Sequence, residues 1–263
     1  MGLMLIMDKR HKTERDYMKT FDNKVVLISG GTSGIGEATV EEFARRGAIV
    51  VFTGRNNNKG DKIAATLMCK GLKAYFINAD NQNDNAIEAV RDFIQEQFGQ
   101  LDVLFNNSGI YPIEPSIEDE NRREFINVFD VNIGGTVMMT KVMIPLLKAS
   151  HGSIIFNASI AGLESYTCNS SYAYSGSKAA VLHFSKMLAK KYGKEFRSNC
   201  ICPGTIKTPI FKYFDEEKKS LNIPMGRTGM PEEVAKVVCF LASDDASFIN
   251  GAVLTIDGGE SLK

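Results

Sequence analysis

The stretch KVVLISGGTSGIG, Lys24 to Gly36, runs a short apolar segment straight into a glycine-rich turn. Lys24–Ser29 reads as a buried strand, because its interior is apolar at every position rather than at alternate ones. Gly30, Gly34 and Gly36 punctuate the turn, and a helix over Gly34–Arg46 follows with Ala38, Phe43 and Ala44 on its apolar side. Gly47 stops that helix, and Ala48–Thr53 is the next strand. The same unit recurs toward the C-terminus. Helices are read over Lys59–Lys70, Asn85–Phe98, Arg122–Lys148, Tyr172–Tyr192 and Pro231–Leu241, and strands over Lys73–Ile77, Asp102–Phe105, Gly152–Asn157, Ser198–Ile201 and Val253–Ile256. Short, wholly apolar strands that alternate with helices need cover on both faces. Right-handed crossovers then predict an α/β fold: a single doubly wound parallel sheet with helices on both sides.

The totals suit one domain. The chain has 263 residues, 44% of them hydrophobic, which is enough for one sizeable core. No Pro/Gly/Ser tract divides residues 23–263, so they are read as one catalytic domain, with Met1–Asp22 as an extension outside the core. Lys+Arg and Asp+Glu balance at 31 each, which removes the basic footprint of a nucleic-acid binder. No run approaches the length of a membrane span, and Gly2–Met7 is too short for a secretory core. Cysteines at 69, 168, 200, 202 and 239 are odd in number and form no C-x-x-C pair. They are read as free buried thiols of a reducing compartment, so the expected location is cytoplasmic. The three histidines, at 11, 151 and 183, are far apart, and no metal is expected.

A strand that ends in glycines and opens a helix is the context a dinucleotide pyrophosphate needs. The backbone must turn sharply, approach the phosphates without side-chain obstruction and present helix N-terminal amides. Gly30, Thr32, Ser33, Gly34, Ile35 and Gly36 are therefore candidate cofactor residues. The second strand ends in Phe52-Thr53-Gly54-Arg55. A carboxylate there would take the ribose hydroxyls of NAD. Gly54 stands at that place and Arg55 follows, and a guanidinium suits a 2′-phosphate. NADP(H) is the expected cofactor, with NAD(H) as the second choice.

Tyr174 and Lys178 lie four residues apart and share one face of a helix. Tyr172 is the internal control, since its partner at the same spacing is Gly176. Carbonyl reduction needs a proton donor beside the hydride donor. A free phenol, with a pKa of about 10, needs roughly 4 kcal/mol of differential stabilisation to titrate near neutrality. A nearby ammonium in a partly desolvated site can supply much of it. Upstream, the strand in GSIIFNASIAG delivers Ser159 to the carboxyl edge of the sheet, where doubly wound folds bind ligands.

In this order and spacing, the motifs over residues 23–263 resemble the short-chain dehydrogenase/reductase family, a single-domain Rossmann fold. The turn resembles that family's T-G-x-x-x-G-x-G with Ser29 for Thr, and Asn106-Asn107-Ser108-Gly109 resembles its N-N-A-G. The resemblance implies a catalytic set of Asn132, Ser159, Tyr174 and Lys178, with Asn132 holding a water that relays protons toward Lys178. It adds cofactor contacts at Asp80, Asn81, Asn107, Gly109, Pro203, Gly204, Ile206 and Thr208, together with Tyr174 and Lys178 themselves. Ile256-Asp257-Gly258-Gly259 also has the family's look. The implied activity is hydride transfer between a nicotinamide and a small-molecule secondary alcohol or ketone, a hydroxysteroid or other bulky apolar compound included. A non-catalytic redox sensor on the same fold is the alternative. Thr205–Met225, with Phe211, Tyr213 and Phe214, resembles a substrate lid, and Ile110, Tyr111, Leu163 and Tyr166 add apolar pocket candidates. The family's habit implies a homo-oligomer, a tetramer or a dimer, built through the helices of Asn132 and Tyr174 and the last strand.

Overall fold

The four residues of β1, Val25–Ile28, are all buried, so both faces of this strand need cover. The structure, a computed structural model, describes residues 20–112, 117–118, 120–166, 171–209 and 220–262. Among them the further strands are β2 Ile49–Gly54, β3 Lys73–Asn78, β4 Val103–Asn106, β5 Ser153–Asn157, β6 Arg197–Pro203 and β7 Val253–Ile256. They form one seven-stranded sheet in the order β3-β2-β1-β4-β5-β6-β7. Every pairing is parallel. The expected doubly wound sheet is present.

Strand alternation builds two cores. Val25 and Leu27 point to one face, Val26 and Ile28 to the other. Helices α1 Gly34–Arg45, α2 Asn57–Cys69 and α3 Asp84–Phe98 join the first strands. Helix α1 brings Val40, Phe43 and Ala44 to the second face at helical spacing. Helix α7, Pro231–Ala242, adds Val234 and Val238 there. The first face takes Ile87, Val90 and Ile94 of α3, Met139 and Met143 of α5 (Gly135–Ser150) and Val181 of α6 (Tyr172–Tyr192). Side chains set the helix starts. Asn56 accepts from the Lys59 amide, Asn83 from Ala86 and Ser171 from Tyr174.

Three expectations need correction. The helix read over 122–148 is two helices, α4 Arg122–Phe129 and α5, joined by a wider π turn at Asp130–Gly134. The extra residue per turn buries Asn132, which sequence periodicity does not register. The core also begins before residue 23. Phe21 is buried edge-on against Phe43, with ring centroids 4.8 Å apart. Finally, Cys69 is exposed rather than buried, while Cys200, Cys202 and Cys239 are buried as free thiols. Cys168, the aromatic residues of the expected lid at 211–214, and residues 1–19 lie outside the described residues. Among the described residues, no helix is long and apolar enough to cross a membrane.

The chain leaves β1 toward β2 and β3, then crosses back to β4 on the other side of β1. Connections after β1 and β4 therefore diverge, and a crevice opens at the carboxyl ends of these two strands. Ser29 closes its floor. Its hydroxyl accepts from the amides of Asn107 (3.0 Å) and Ser108 (3.1 Å) just beyond β4. The hydroxyl that stands here in place of a threonine's is thus in use. Ser29→Ala leaves both amides without this acceptor and should cost about 2–4 kcal/mol of stability. Urea denaturation checks it, and an unchanged midpoint would contradict the contact.

Candidate functional site: a dinucleotide-sized cleft

The glycine turn needs its glycines for two different reasons. Gly30 and Gly34 have φ of 67° and 55°, the left-handed region that side chains disfavour. Gly36 is required by proximity, because a Cβ there would lie 2.1 Å from the Gly30 carbonyl oxygen and 2.6 Å from Asn107 Nδ2. The turn forms one wall of a cleft of about 590 Å³ at the carboxyl edge of the sheet. Thr32, Ser33, Ile35, Arg55, Asp80, Asn81, Asn107, Gly109, Ser159, Tyr174, Lys178, Pro203, Gly204, Ile206 and Thr208 all line it, with Gly30 and Gly34. Ile110, Tyr111 and Tyr166 do too, whereas Leu163 does not. Gly36 and Asn132 also fall outside the lining. The first sits behind the turn, and the second is buried beneath the cleft.

On the β3 side of the cleft, Asn81 is 6% exposed and its Nδ2 has no hydrogen-bond partner among the described residues. A buried unpaired amide bordering a cleft is suited to a ligand acceptor. Arg55 is exposed at the rim, where a second recess is lined by Thr32, Arg55, Asn56, Asn57 and Asn58. This recess opens on the start of α2, whose first turn carries no acidic residue. A Cβ at Gly54 would lie 2.6 Å from Thr32 Cγ2, so a side chain there would require Thr32 to shift.

At the other end, Lys178 is 4% exposed and its Nζ donates to the Asn157 carbonyl at 2.7 Å. That is its one hydrogen bond among the described residues, so two of the three ammonium donors remain. Nζ lies 5.7 Å from the centre of the Tyr174 ring. Tyr111 packs edge-on against the same ring at 4.8 Å. Burial pulls the Lys178 pKa down to about 8, against an upward pull from Cys200 and Cys202. Ser159 caps the 3-10 turn Ile160–Gly162, with its Oγ accepting from the Ala161 amide. Gly162 lets that turn press on α6, since a Cβ would lie 2.7 Å from Ala179 N and the Lys178 carbonyl carbon. The fourteen residues between Ser159 and Tyr174 therefore do not separate them from one cleft.

Asn132 is buried and bonded on both sides of its side chain. Its Oδ1 accepts from the Ile110 amide at 2.8 Å, and its Nδ2 donates to the Ile110 carbonyl and to Ser177 Oγ. Its side-chain amide thus pins the loop after β4 to α6. Residues the sequence reading did not place in the site include Asn157, Thr205, Asn222 and Glu260. Asn157 stands beside Ser159 at a strand end, which is a usable signal. Glu260 carries none, because its contact is with a segment 55 residues away.

An amino group whose pKa is about 8 in the folded chain and 10.5 when exposed costs stability at neutral pH. By linkage the cost is about 3 kcal/mol. The unfolded chain carries the extra proton between these two values, so the cost is complete below pH 8 and fades as pH rises toward 10.5. Lys178→Met removes it. Without ligand, the stability of the variant minus that of the wild type should shrink by about 2–3 kcal/mol from pH 7 to pH 10. A difference that ignores pH would mean that Nζ is hydrated in the folded chain.

A family model described as enoyl-(acyl carrier protein) reductase matches residues 30–261. Meso-2,3-butanediol dehydrogenase from Serratia marcescens is 38% identical over 247 residues, covering 91% of this chain and 95% of that protein. Cyclohexanol dehydrogenase from Acinetobacter sp. strain SE19 is 36% identical over 252 residues, covering 95% and 100%. Among solved structures, L-sorbose reductase from Gluconobacter frateurii, complexed with NADPH and L-sorbose, superposes with a TM-score of 0.87 at 30% identity, covering 94% and 99%. With the fold, the turn and the Tyr-Lys helix already in place, these matches show that the chain belongs to the short-chain dehydrogenase/reductase family.

Proposed function

We propose that this chain transfers a hydride reversibly between NADP(H) and a secondary alcohol or ketone, with Tyr174 as the proton-transferring group. The observation that carries the reading is the buried Lys178 beside Tyr174 and Ser159 in a cleft whose far wall is the glycine turn. The residues fit a dinucleotide. The turn at Gly30–Gly36 leaves room for a pyrophosphate that side chains would fill, and Asp80 and Asn81 offer acceptor and donor groups to an adenine edge. Ile206 and Thr208 would hold the nicotinamide carboxamide, beside Pro203, Gly204, Asn107 and Gly109. When bound, the nicotinamide supplies or accepts the hydride.

The chain's own groups handle the proton. Ser159 Oγ donates to the substrate oxygen and fixes its position. Tyr174 Oη delivers its proton to that oxygen in reduction and takes it back in oxidation. Lys178, with a pKa of about 8, is mostly charged at pH 7 and stabilises the phenolate that results. Its remaining N–H donors are available to the nicotinamide ribose. Asn132 acts by holding Ile110 and Ser177 in place. Ile110, Tyr111 and Tyr166 give the substrate end an apolar wall, which suits a bulky alcohol or ketone such as a hydroxysteroid. A non-catalytic sensor has no support, since the relatives are dehydrogenases and reductases by name.

NADP(H) preference rests on Arg55, the asparagine-lined recess beside it and the glycine, rather than a carboxylate, at position 54. Arg55→Ala should lower kcat/KM for NADPH by roughly 10- to 100-fold and leave NADH nearly unchanged. Equal losses with both cofactors would sink the preference. Tyr174→Phe should bind NADPH like the wild type and lose at least about 100-fold in kcat on a ketone panel. Turnover near wild type would overturn the proton-transfer assignment.

The same reading makes the enzyme a cytoplasmic homo-oligomer, a tetramer or dimer. Its free cysteines suit a reducing compartment. Ile126, Tyr172 and Met187 on α4 and α6, and Phe248 and Leu254 near the β7 edge, are exposed apolar residues suited to self-association. Light scattering of the purified chain checks the assembly.

A further inference from the structure

The chain folds back on the cleft after its last strand. Beyond β7, Gly258 and Gly259 take φ of 62° and 89°, and they reverse the backbone tightly. Asp257 fixes the reversal: its carboxylate accepts from the Gly259 amide at 3.0 Å and from the Ser261 amide at 2.9 Å. Glu260 is thereby aimed at the segment leaving β6. Its Oε2 accepts from the Thr205 amide at 2.7 Å, and its Oε1 from the Thr205 hydroxyl at 3.0 Å. Gly204 is what allows the approach, because a Cβ there would lie 2.6 Å from Glu260 Oε2.

We propose that Glu260 is a positioning residue for the nicotinamide end of the cofactor, acting through Thr205 on the segment Pro203–Thr208. The proposal rests on the reading above that Ile206 and Thr208 hold the carboxamide. Thr205 immediately precedes Ile206. Both its amide and its hydroxyl are taken by one carboxylate, and charge-assisted bonds of this kind are the stronger class. The segment is also held by a bridge between Ile206 and Gly229, in which Lys207 N donates to the Gly229 carbonyl at 2.9 Å and Gly229 N to the Thr205 carbonyl at 3.0 Å. Glu260 holds the cleft side. The same turn grips the chain as it returns past 220, with Met225 N donating to the Gly258 carbonyl and Ile223 packed under Gly258. Among the described residues Glu260 makes no ion pair, so its charge is offset here only by the Thr205 donors.

The test separates the two ends of the cofactor. Dissociation constants are measured for NADPH and for 2′-phospho-ADP-ribose, which lacks the nicotinamide, and in parallel for NADH and ADP-ribose. In Glu260→Ala the nicotinamide-bearing member of the pair that binds should weaken about 10-fold, while its fragment changes less than about 2-fold. Glu260→Gln keeps one acceptor and should fall between, and Thr205→Val, which removes only the hydroxyl, should lose about 2- to 5-fold. The melting temperature without ligand should stay close to that of the wild type. Unchanged NADPH and NADH binding in Glu260→Ala would overturn the proposal, as would equal weakening of cofactor and fragment. A wild-type chain that binds cofactor no more tightly than fragment would instead overturn the reading of the nicotinamide end, and the proposal with it.

Discussion

A run of hydrogen bonds crosses the carboxyl edge of the sheet and ties the glycine turn to Lys178. Asn107 Nδ2 donates to the carbonyls of Ser29 and Gly30, which fixes the start of the turn. Asn107 Oδ1 accepts from Asn157 Nδ2 at 2.8 Å, and the Asn157 carbonyl accepts from Lys178 Nζ at 2.7 Å. Three strand ends, those of β1, β4 and β5, are joined in this way to the middle of α6. Backbone hydrogen bonds hold strands beside one another but leave their ends free to fray. These side-chain bonds act beyond the last ladder pair, where a ligand has to meet fixed donors. Asn132 makes a parallel tie one layer down, from Ile110 to Ser177.

This frame explains how a lysine can be kept inside the protein. Burial disfavours its charge, and the carbonyl of Asn157 returns one hydrogen bond. Cys200 and Cys202 lie close enough on β6 to affect its titration, and both are fully buried. Nothing in that arrangement favours folding over a plain aliphatic residue. A costly group held in one place by several elements is the usual mark of a site built for chemistry rather than for stability. The same logic holds at the turn. Gly36 contributes no packing of its own, and its value is that Gly30 O and Asn107 Nδ2 can come so close.

Much of this was legible in the residues. The strand cores are largely apolar and the helices amphipathic, so their order and the parallel sheet follow from local pattern. Glycines between a strand and a helix marked one wall of the cleft, and Tyr174 with Lys178 marked the other. What stayed hidden depends on contacts between distant segments. The π turn at Asp130–Gly134 is set by bonds that Asn132 makes to Ile110 and Ser177, so helical periodicity carries no trace of it. Phe21 looked like part of an extension outside the core because its partner, Phe43, lies on α1. Glu260 is an ordinary residue in the sequence, and only the fold sets it against Thr205. Arg55 was visible as a charge, but the asparagine-lined recess beside it was not.

The claim on which the rest depends is that the glycine turn and the buried lysine are one connected unit. A double-mutant cycle between Asn107→Ala and Lys178→Met, read on NADPH binding by fluorescence, tests it directly. Asn107 and Lys178 have no direct bond in the described network; Asn157 stands between them. A connected unit predicts non-additive losses, with a coupling of about 1 kcal/mol or more. Losses that add to within about 0.5 kcal/mol would contradict it, and would leave the turn and the lysine as two independent sites that share a cleft.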